Sequence, residues 1–399
     1  MPTNRRQFLK AGAALTALQT LGPLALAAGA AGKAHEPLGL TRGPGITVLK
    51  NGKPYRGVGV NYYDCFGRTL LNSNDTSYEA GFRVLGEYRI PFARCAFSGA
   101  TAKDMKLYQE NPNAYFGLLD AVVHSAEKNG VGLIPSIFFA GKTMVPRLVN
   151  EFGDQWGNPD SKIIAFMRRY THEVVSRYVN SPAIWFWEFC NEYNSYADIP
   201  EPAIRLPKMT DDNGDPKYPD PRDYPKHEVM IVAFREFAKA VRLDDPNRLI
   251  ESGADFPNPS AWHYYKEHDK TIDTPEQFEF MLGLNAVDPM DLIDIHCYND
   301  MMPNWRRLPD AAAAARKLGK PLFVGEFQYS YNCAPDSPEA RKDMKDFLAM
   351  LDQLQIPLAA VWVFDFPNQE KDRNITATNK RAWELELLRE HNDRPASGH

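Results

Sequence analysis

Ala183-Ile184-Trp185-Phe186-Trp187-Glu188-Phe189-Cys190-Asn191-Glu192 is a short apolar run, rich in aromatic residues, that ends on an amide and a carboxylate. Ala183–Cys190 reads as a strand, with Asn191 and Glu192 at its end. Seven more runs of this kind follow the same plan: Gly57–Asn61, Ile90–Arg94, Gly132–Ser136, Arg248–Ser252, Leu292–Cys297, Leu322–Glu326 and Leu358–Phe364. Longer amphipathic patterns fill the gaps, clearest over Ala114–Lys128, Lys162–Tyr178, His227–Val241, Pro309–Leu318 and Pro338–Leu354. Strands separated by helices imply a parallel sheet, because parallel neighbours need a crossover connection. Eight such units predict an α/β fold, a closed (β/α)8 TIM barrel forming a single domain. An open doubly wound sheet is the rival, but no Gly-rich phosphate loop follows the first strand.

The barrel should occupy residues 45–392. It opens with a β-hairpin, since Ile46–Leu49 and Pro54–Gly57 flank Asn51-Gly52, a strong two-residue turn signal. Residues 31–44 read as a linker and 393–399 as a flexible tail. The stretch from Asn194 to Pro225 is rich in Pro and charge and follows the fourth strand. On the C-terminal face of a barrel, so long a loop suggests a wall or lid over a cleft. Within it Asp211, Asn213 and Asp215 imitate the start of a calcium loop. Pro216 and Arg222 stand where Gly and the bidentate Glu are needed, so the segment reads as a solvated turn.

The 399 residues are 44% hydrophobic and 12% aromatic with a formal net charge of -5, a globular composition. No basic block is present, which argues against nucleic acid or an anionic membrane surface as a partner. Residues 1–30 read as a twin-arginine signal peptide: Asn4-Arg5-Arg6-Gln7-Phe8-Leu9-Lys10 precedes an apolar run with A-x-A cleavage sites. A periplasmic or secreted protein follows, with no membrane span in its mature form. Five cysteines show no zinc spacing. Cys95, Cys190 and Cys297 each adjoin a polar strand residue, so they should face the surrounding helices as buried thiols. A disulfide involving Cys65 or Cys333 stays open.

Barrel enzymes carry their reactive groups at the C-terminal ends of strands. Here those ends hold Asn61, Arg94, Asn191 with Glu192, His296 with Tyr298, Glu326, and Trp362 with Asp365. Glu192 and Glu326 stand on strands four and seven, opposite each other across the mouth. Two carboxyl groups suit glycosidic bond cleavage, one protonating a poor leaving group while the other attacks or activates water. A separation of about 5–5.5 Å gives retention and a gap of roughly 6.5–9.5 Å gives inversion. Opposed ends four and seven should give the shorter distance.

Trp187-Glu188-Phe189-Cys190-Asn191-Glu192 resembles the fourth-strand N-E motif of the clan of (β/α)8 retaining glycosidases, and Phe323-Val324-Gly325-Glu326 resembles its seventh-strand nucleophile motif. Arg94, His296-Cys297-Tyr298 and Trp362 fall on strands two, six and eight, where glycoside hydrolase family 5 carries matching residues. The resemblance runs from near Ile46 to about Asn392. It implies that Glu192 is the acid/base and Glu326 the nucleophile. It also implies that Asn191 bonds the sugar 2-hydroxyl and that Arg94 and Tyr298 keep Glu326 ionised. His296 should lie near both carboxylates, and Trp362 should floor the reactive-sugar subsite. The third strand, Leu133-Ile134-Pro135-Ser136-Ile137-Phe138-Phe139, lacks the histidine many members place there. The loop Asn61-Tyr62-Tyr63-Asp64 is a candidate replacement. Tyr193, Asn194, Phe327, Gln328, Tyr329 and Trp305 are further subsite candidates, and Glu188 reads as an inward structural carboxylate. No cofactor and no metal is implied.

Competing functions separate on these residues. The first is an exported retaining β-glycosidase acting on a neutral glycan, a β-1,4-mannan or β-1,4-glucan by analogy, with mannan slightly ahead. A glycosidase or transglycosylase of the same clan with another β-glycan or glycoconjugate is a variant of it. A non-catalytic carbohydrate-binding barrel would need neither carboxylate with Arg94 and His296. A metal-dependent barrel hydrolase lacks an H-x-H after any strand.

Overall fold

The computed structural model describes residues 38–200, 209–210, 216–217, 220–299 and 304–394. The twin-arginine stretch, the calcium-like triplet, nearly half of the long loop and the last five residues lie outside them. Three short strands come first, β1 (Leu40–Arg42), β2 (Val48–Lys50) and β3 (Lys53–Pro54), paired antiparallel. The hairpin turn is at Asn51-Gly52, both at positive φ (52° and 69°), as the sequence leads one to expect.

Strand β1 corrects the linker reading. Leu40 N–H donates to Trp185 C=O at 2.7 Å, and Leu249 N–H donates to Leu40 C=O at 3.0 Å. Leu40 and Val48 join a buried cluster with Trp185, Phe186, Leu249, Leu292 and Phe323. The small sheet thus plugs the N-terminal end of the barrel. Backbone pairing orders this segment, and backbone pairing leaves no periodicity to read.

The barrel strands are β4 (Gly57–Asn61), β5 (Phe92–Ala96), β6 (Gly132–Phe138) and β7 (Trp187–Cys190), then β10 (Ile250–Glu251), β11 (Ile293–Tyr298), β12 (Leu322–Gln328) and β13 (Leu358–Val361). A separate two-stranded ribbon, β8 (Met209–Thr210) with β9 (Pro216–Lys217), interrupts the series. The order in the main sheet is β10-β7-β6-β5-β4-β13-β12-β11, every pair parallel. The seam between β10 and β11 is bridged by Asp291, whose N–H donates to Ile250 C=O and whose carboxylate accepts from Ile250 N–H. A nearly closed TIM barrel results.

Helices Pro112–Lys128, Lys162–Tyr178, His227–Asp244, Leu308–Leu318 and Pro338–Gln353 surround it. Several start where side-chain chemistry dictates. Asn111, Ser161 and Ser337 each accept a hydrogen bond from the backbone of the first turn, and Pro112 and Pro338 open two of these helices. Cys95, Cys190 and Cys297 sit in the apolar layer between strands and helices, and Cys65 is a buried thiol there too. Among the described residues no helix is long and apolar enough to cross a membrane.

Candidate active site

Strand β7 stops at an unusual residue. Glu192 has φ of 48°, in the left-handed region that costs a residue with a side chain on the order of 1–2 kcal/mol. Both of its backbone polar groups are held: the N–H donates to Gly253 C=O at 2.7 Å, and the C=O accepts from Lys142 Nζ at 2.6 Å. Gly253 itself must be glycine, because a Cβ there would fall 1.5 Å from Cys190 C=O. The reversal turns the Glu192 carboxylate into the barrel mouth. It sends Tyr193 the other way, 2% exposed among Trp156, Phe189 and Phe234. Tyr193 is therefore core, not a sugar subsite.

Strand β12 is bulged at the other carboxylate. Val324 pairs with Ile295, but Glu326 pairs with His296, so Gly325 is an extra residue on this side. Its backbone is satisfied by buried side chains. Gly325 N–H donates to Asp294 Oδ1 at 2.9 Å, and Gly325 C=O accepts from Asn61 Nδ2 at 2.9 Å. The bulge re-aims Glu326 at the mouth while holding His296 directly beside it.

The two carboxylates meet. One oxygen of Glu192, one of Glu326 and a ring nitrogen of His296 all lie within 4.8 Å of one another. Glu192 has a third of its side chain open to solvent (33%), whereas that of Glu326 is 5% exposed. Arg94 Nη1 donates to Glu326 Oε1 at 2.9 Å, and Tyr298 O–H donates to Oε2. The rest of the Arg94 guanidinium grips Glu188 with two hydrogen bonds and donates to Asn61 and Asn191. Asn191 is thereby fixed at the lip of the site, 2.7 Å from Arg94 Nη2. His296 Nδ1 lies 2.8 Å from Glu192 Oε1 and 3.6 Å from Glu326 Oε2.

Burial alone would make this imidazole a weaker base. The charge of Glu326, with the hydrogen bond and charge of Glu192 and then Asp294, overcomes burial and pushes it up to about 10. The same contact works in reverse on Glu192: burial would raise its carboxyl, but the hydrogen bond and charge of His296 bring it down to about 2. One proton is therefore shared across this 2.8 Å contact and rests on the ring. Glu326 goes the other way. Burial raises its carboxyl and Glu192 adds to the rise, while His296, Arg94 and Tyr298 oppose it. Tyr298 stays a neutral donor, since burial and the neighbouring carboxylates raise its hydroxyl well above its ordinary value.

The other candidates divide. Trp362 is half-buried at the end of β13, its indole N–H donating to Gln369, with its ring 6.0 Å from that of Tyr63. Asn61 belongs to the supporting layer through Arg94 and Gly325. Tyr62 is a correction: fully buried, it packs on Phe82 and Phe364 and donates to Asp365, behind the strand rather than in the mouth. Phe327, Tyr329 and Trp305 are buried against helices or loops, Gln328 is buried against Glu384, and Asn194 is tied to the Asp255 backbone. Strand alternation explains Phe327, one residue past the inward Glu326. The face that Tyr62 vacates belongs to Tyr63, whose ring lies 4.6 Å from that of Phe139 and 5.2 Å from that of Phe366. Phe139 lies under the Arg94 guanidinium, at the end of the third strand that lacks a histidine. Lys142, in the helix Gly141–Val149 after the third strand, and Asp255, in the loop after β10, stand beside Glu192 and carried no sequence signal.

Beneath the mouth, ligand atoms of Glu188, Glu251 and Asp294 also cluster within 4.8 Å. Either carboxylate group has the spacing to hold a metal ion. Arg94 adjoins both, however, and His296 enters the upper one as a cation, charges that oppose a second cation.

Residues 50–365 match the model of the family described as cellulase (glycosyl hydrolase family 5). Mannan endo-1,4-beta-mannosidase A of Podospora anserina is 27% identical over 53% of this chain and 50% of its own length, so the match spans half of that relative. Probable mannan endo-1,4-beta-mannosidase C of Aspergillus terreus is 24% identical over 83% of this chain and 82% of its own. Among solved structures, the endo-1,4-beta-mannanase of Rhizomucor miehei superposes with a TM-score of 0.62 at 16% identity, covering 89% of this chain and 98% of that one. That last likeness is one of fold.

Proposed function

The chain belongs to glycosyl hydrolase family 5, and on that premise we propose that it is an exported retaining β-glycosidase that cleaves a neutral β-linked glycan by double displacement. Glu326 attacks the anomeric carbon and forms a glycosyl-enzyme. Glu192 protonates the departing oxygen and then activates the water that releases the sugar. The observation that carries this reading is the approach of the two carboxyl groups, one oxygen of each within 4.8 Å. So close an approach fits the separation of about 5–5.5 Å that covalent displacement uses better than the roughly 6.5–9.5 Å of inverting enzymes. Arg94 and Tyr298 hold Glu326 in line, and Asn191 is placed for a sugar hydroxyl.

A non-catalytic sugar binder is the weaker reading. Packing two carboxylates, an imidazolium and a buried guanidinium into one mouth is costly and serves no purpose in binding alone. The similarity to mannosidases over most of one relative favours a mannan over a glucan. Export rests on the twin-arginine stretch Asn4–Lys10. The test is hydrolysis of soluble β-mannans and β-glucans by the mature protein, followed by NMR during the first turnovers. Mannan is expected to be cleaved faster, with the new reducing end first appearing as the β-anomer. An α-anomer as first product would sink the double displacement.

The charges also set a pH profile. Attack needs Glu326 ionised, and its raised carboxyl puts the acid limb above the ordinary 4.5. Donation needs the proton shared by Glu192 and His296, which the imidazole retains until about 10. A bell for kcat/KM is expected, with its alkaline limb well above neutrality. His296→Gln should pull that limb to lower pH. The same proton stabilises the fold: its contribution is complete below 6.5 and is lost as pH rises through about 10. An unchanged limb in the variant would count against the shared proton.

A further inference from the structure

Behind the catalytic imidazole lies a carboxyl group that the reaction as described does not use. His296 Nε2 points at Asp294 Oδ2, 3.8 Å away, and neither atom has a hydrogen-bond partner although both are fully buried. Asp294 is not free to turn elsewhere. Its Oδ1 accepts from Gly325 N–H, and it fills the space where a Gly325 side chain would be, since a Cβ there would lie 2.7 Å from Oδ1 and 2.8 Å from Oδ2. The glycine before Glu326 thus serves two purposes: it makes the bulge, and it seats an acidic side chain under the ring.

We propose that Asp294 is a positioning residue for the proton donor, which through His296 fixes the atom on which the shared proton rests. This rests on the reading of Glu192 as general acid. The groups facing the ring are Glu192 at the end of β7, Asp255 after β10, Asp294 on β11 itself and Glu326 on β12, with Arg94 on β5 beyond Glu326. Among the described residues, Asp294 is the acidic group within 4 Å of Nε2. An oxygen at that place favours N–H on Nε2, because a nitrogen lone pair there would meet oxygen lone pairs. With Nε2–H fixed, only Nδ1 exchanges a proton with Glu192. In the resting pair Nδ1–H donates to ionised Glu192. As the sugar enters, that proton crosses 2.8 Å to Glu192 Oε1, the ring becomes neutral, and its Nδ1 lone pair accepts from the new O–H. The proton then passes to the leaving oxygen. No ring flip is needed. Burial raises Asp294 to about 8 against the pull of His296 and Arg94, and beside the protonated ring the oxygen facing Nε2 accepts, as a carboxylate or as the carbonyl oxygen of a carboxylic acid.

Asp294→Asn separates this role from a structural one. The amide oxygen keeps the Gly325 N–H, so the amide N–H2 faces Nε2 and forces a lone pair onto it. The ring then carries its only proton on Nδ1, and Glu192 opposite must stay ionised, unable to donate. With a phenyl β-glycoside, whose departure needs that proton, kcat/KM should fall on the order of 10²-fold. With a dinitrophenyl β-glycoside, which leaves unaided, it should change little. Equal losses on both substrates, or none on either, would overturn the proposal. Glu192→Ala is the control: if it treats both substrates alike, the donor assignment itself fails, and this inference with it. Should the variant not fold, ¹⁵N-histidine spectra of the wild-type protein decide. Both nitrogens of His296 are expected to be protonated at neutral pH, and an unprotonated Nε2 would refute the idea.

Discussion

Replacing Glu326 with alanine should lower kcat by at least ~10⁴-fold and leave the melting temperature unchanged or higher. The loss of rate follows from removing the group that forms the covalent bond. The stability result follows from the charges. Glu326 is buried beside a second carboxylate, and its raised carboxyl records that the ionised form is disfavoured there by burial and by Glu192. Removing it leaves no stranded cation, because Arg94 keeps both hydrogen bonds to Glu188 and those to Asn61 and Asn191. Arg94 Nη1 and Tyr298 each lose one acceptor, and Nη1 keeps Asn61. The measurement is initial rates on the preferred glycan beside a thermal melt. Retained hydrolysis would remove Glu326 from the reaction. A melt lowered by many degrees would mean that the carboxylate is a structural partner of Arg94.

The barrel was legible because its strands are buried on both faces and therefore read as continuous apolar runs, most with a polar residue at or just past the end. Leu322–Glu326 and Leu292–Cys297 could be placed to within about two residues for that reason. Helix starts were legible where a cap or proline marks them, as at Ser161 and Pro338. What escaped depends on backbone turns that local sequence does not encode. Nearness in sequence to the strand ends put Tyr62 and Tyr193 near the mouth, and the left-handed backbone at Glu192 turns Tyr193 away. Strand β1 is held by backbone hydrogen bonds to Trp185 and Leu249, nearly 150 and more than 200 positions later, which no local pattern announces. The supporting layer was half legible. Glu188 was placed inward by its position on the strand, but its union with Arg94 needed the closed sheet, and Asp294 gained meaning only once the bulge at Gly325 set it under His296.

Glu192→Ala should abolish cleavage of unactivated glycans while leaving the first chemical step on a dinitrophenyl glycoside nearly intact. The leaving group then departs without a proton, so Glu326 still forms the glycosyl-enzyme. Its hydrolysis stalls, since no carboxylate remains to deprotonate water, and a burst followed by slow turnover is expected. Azide should restore turnover. It needs no base, and it is an anion entering a place built for one, with the His296 imidazole and Lys142 Nζ as neighbours. The opening is adequate, because a third of the Glu192 side chain already faces solvent (33% exposed). The two faces of the sugar fix the product. Glu326 attacks from one side and azide from the side Glu192 left, so two inversions give a β-glycosyl azide. Isolation of an α-glycosyl azide would mean that the anion had displaced the leaving group directly, with Glu326 never bonded to the sugar. Absence of rescue, together with an unchanged ratio of rates on good and poor leaving groups, would move the acid/base role off Glu192 altogether.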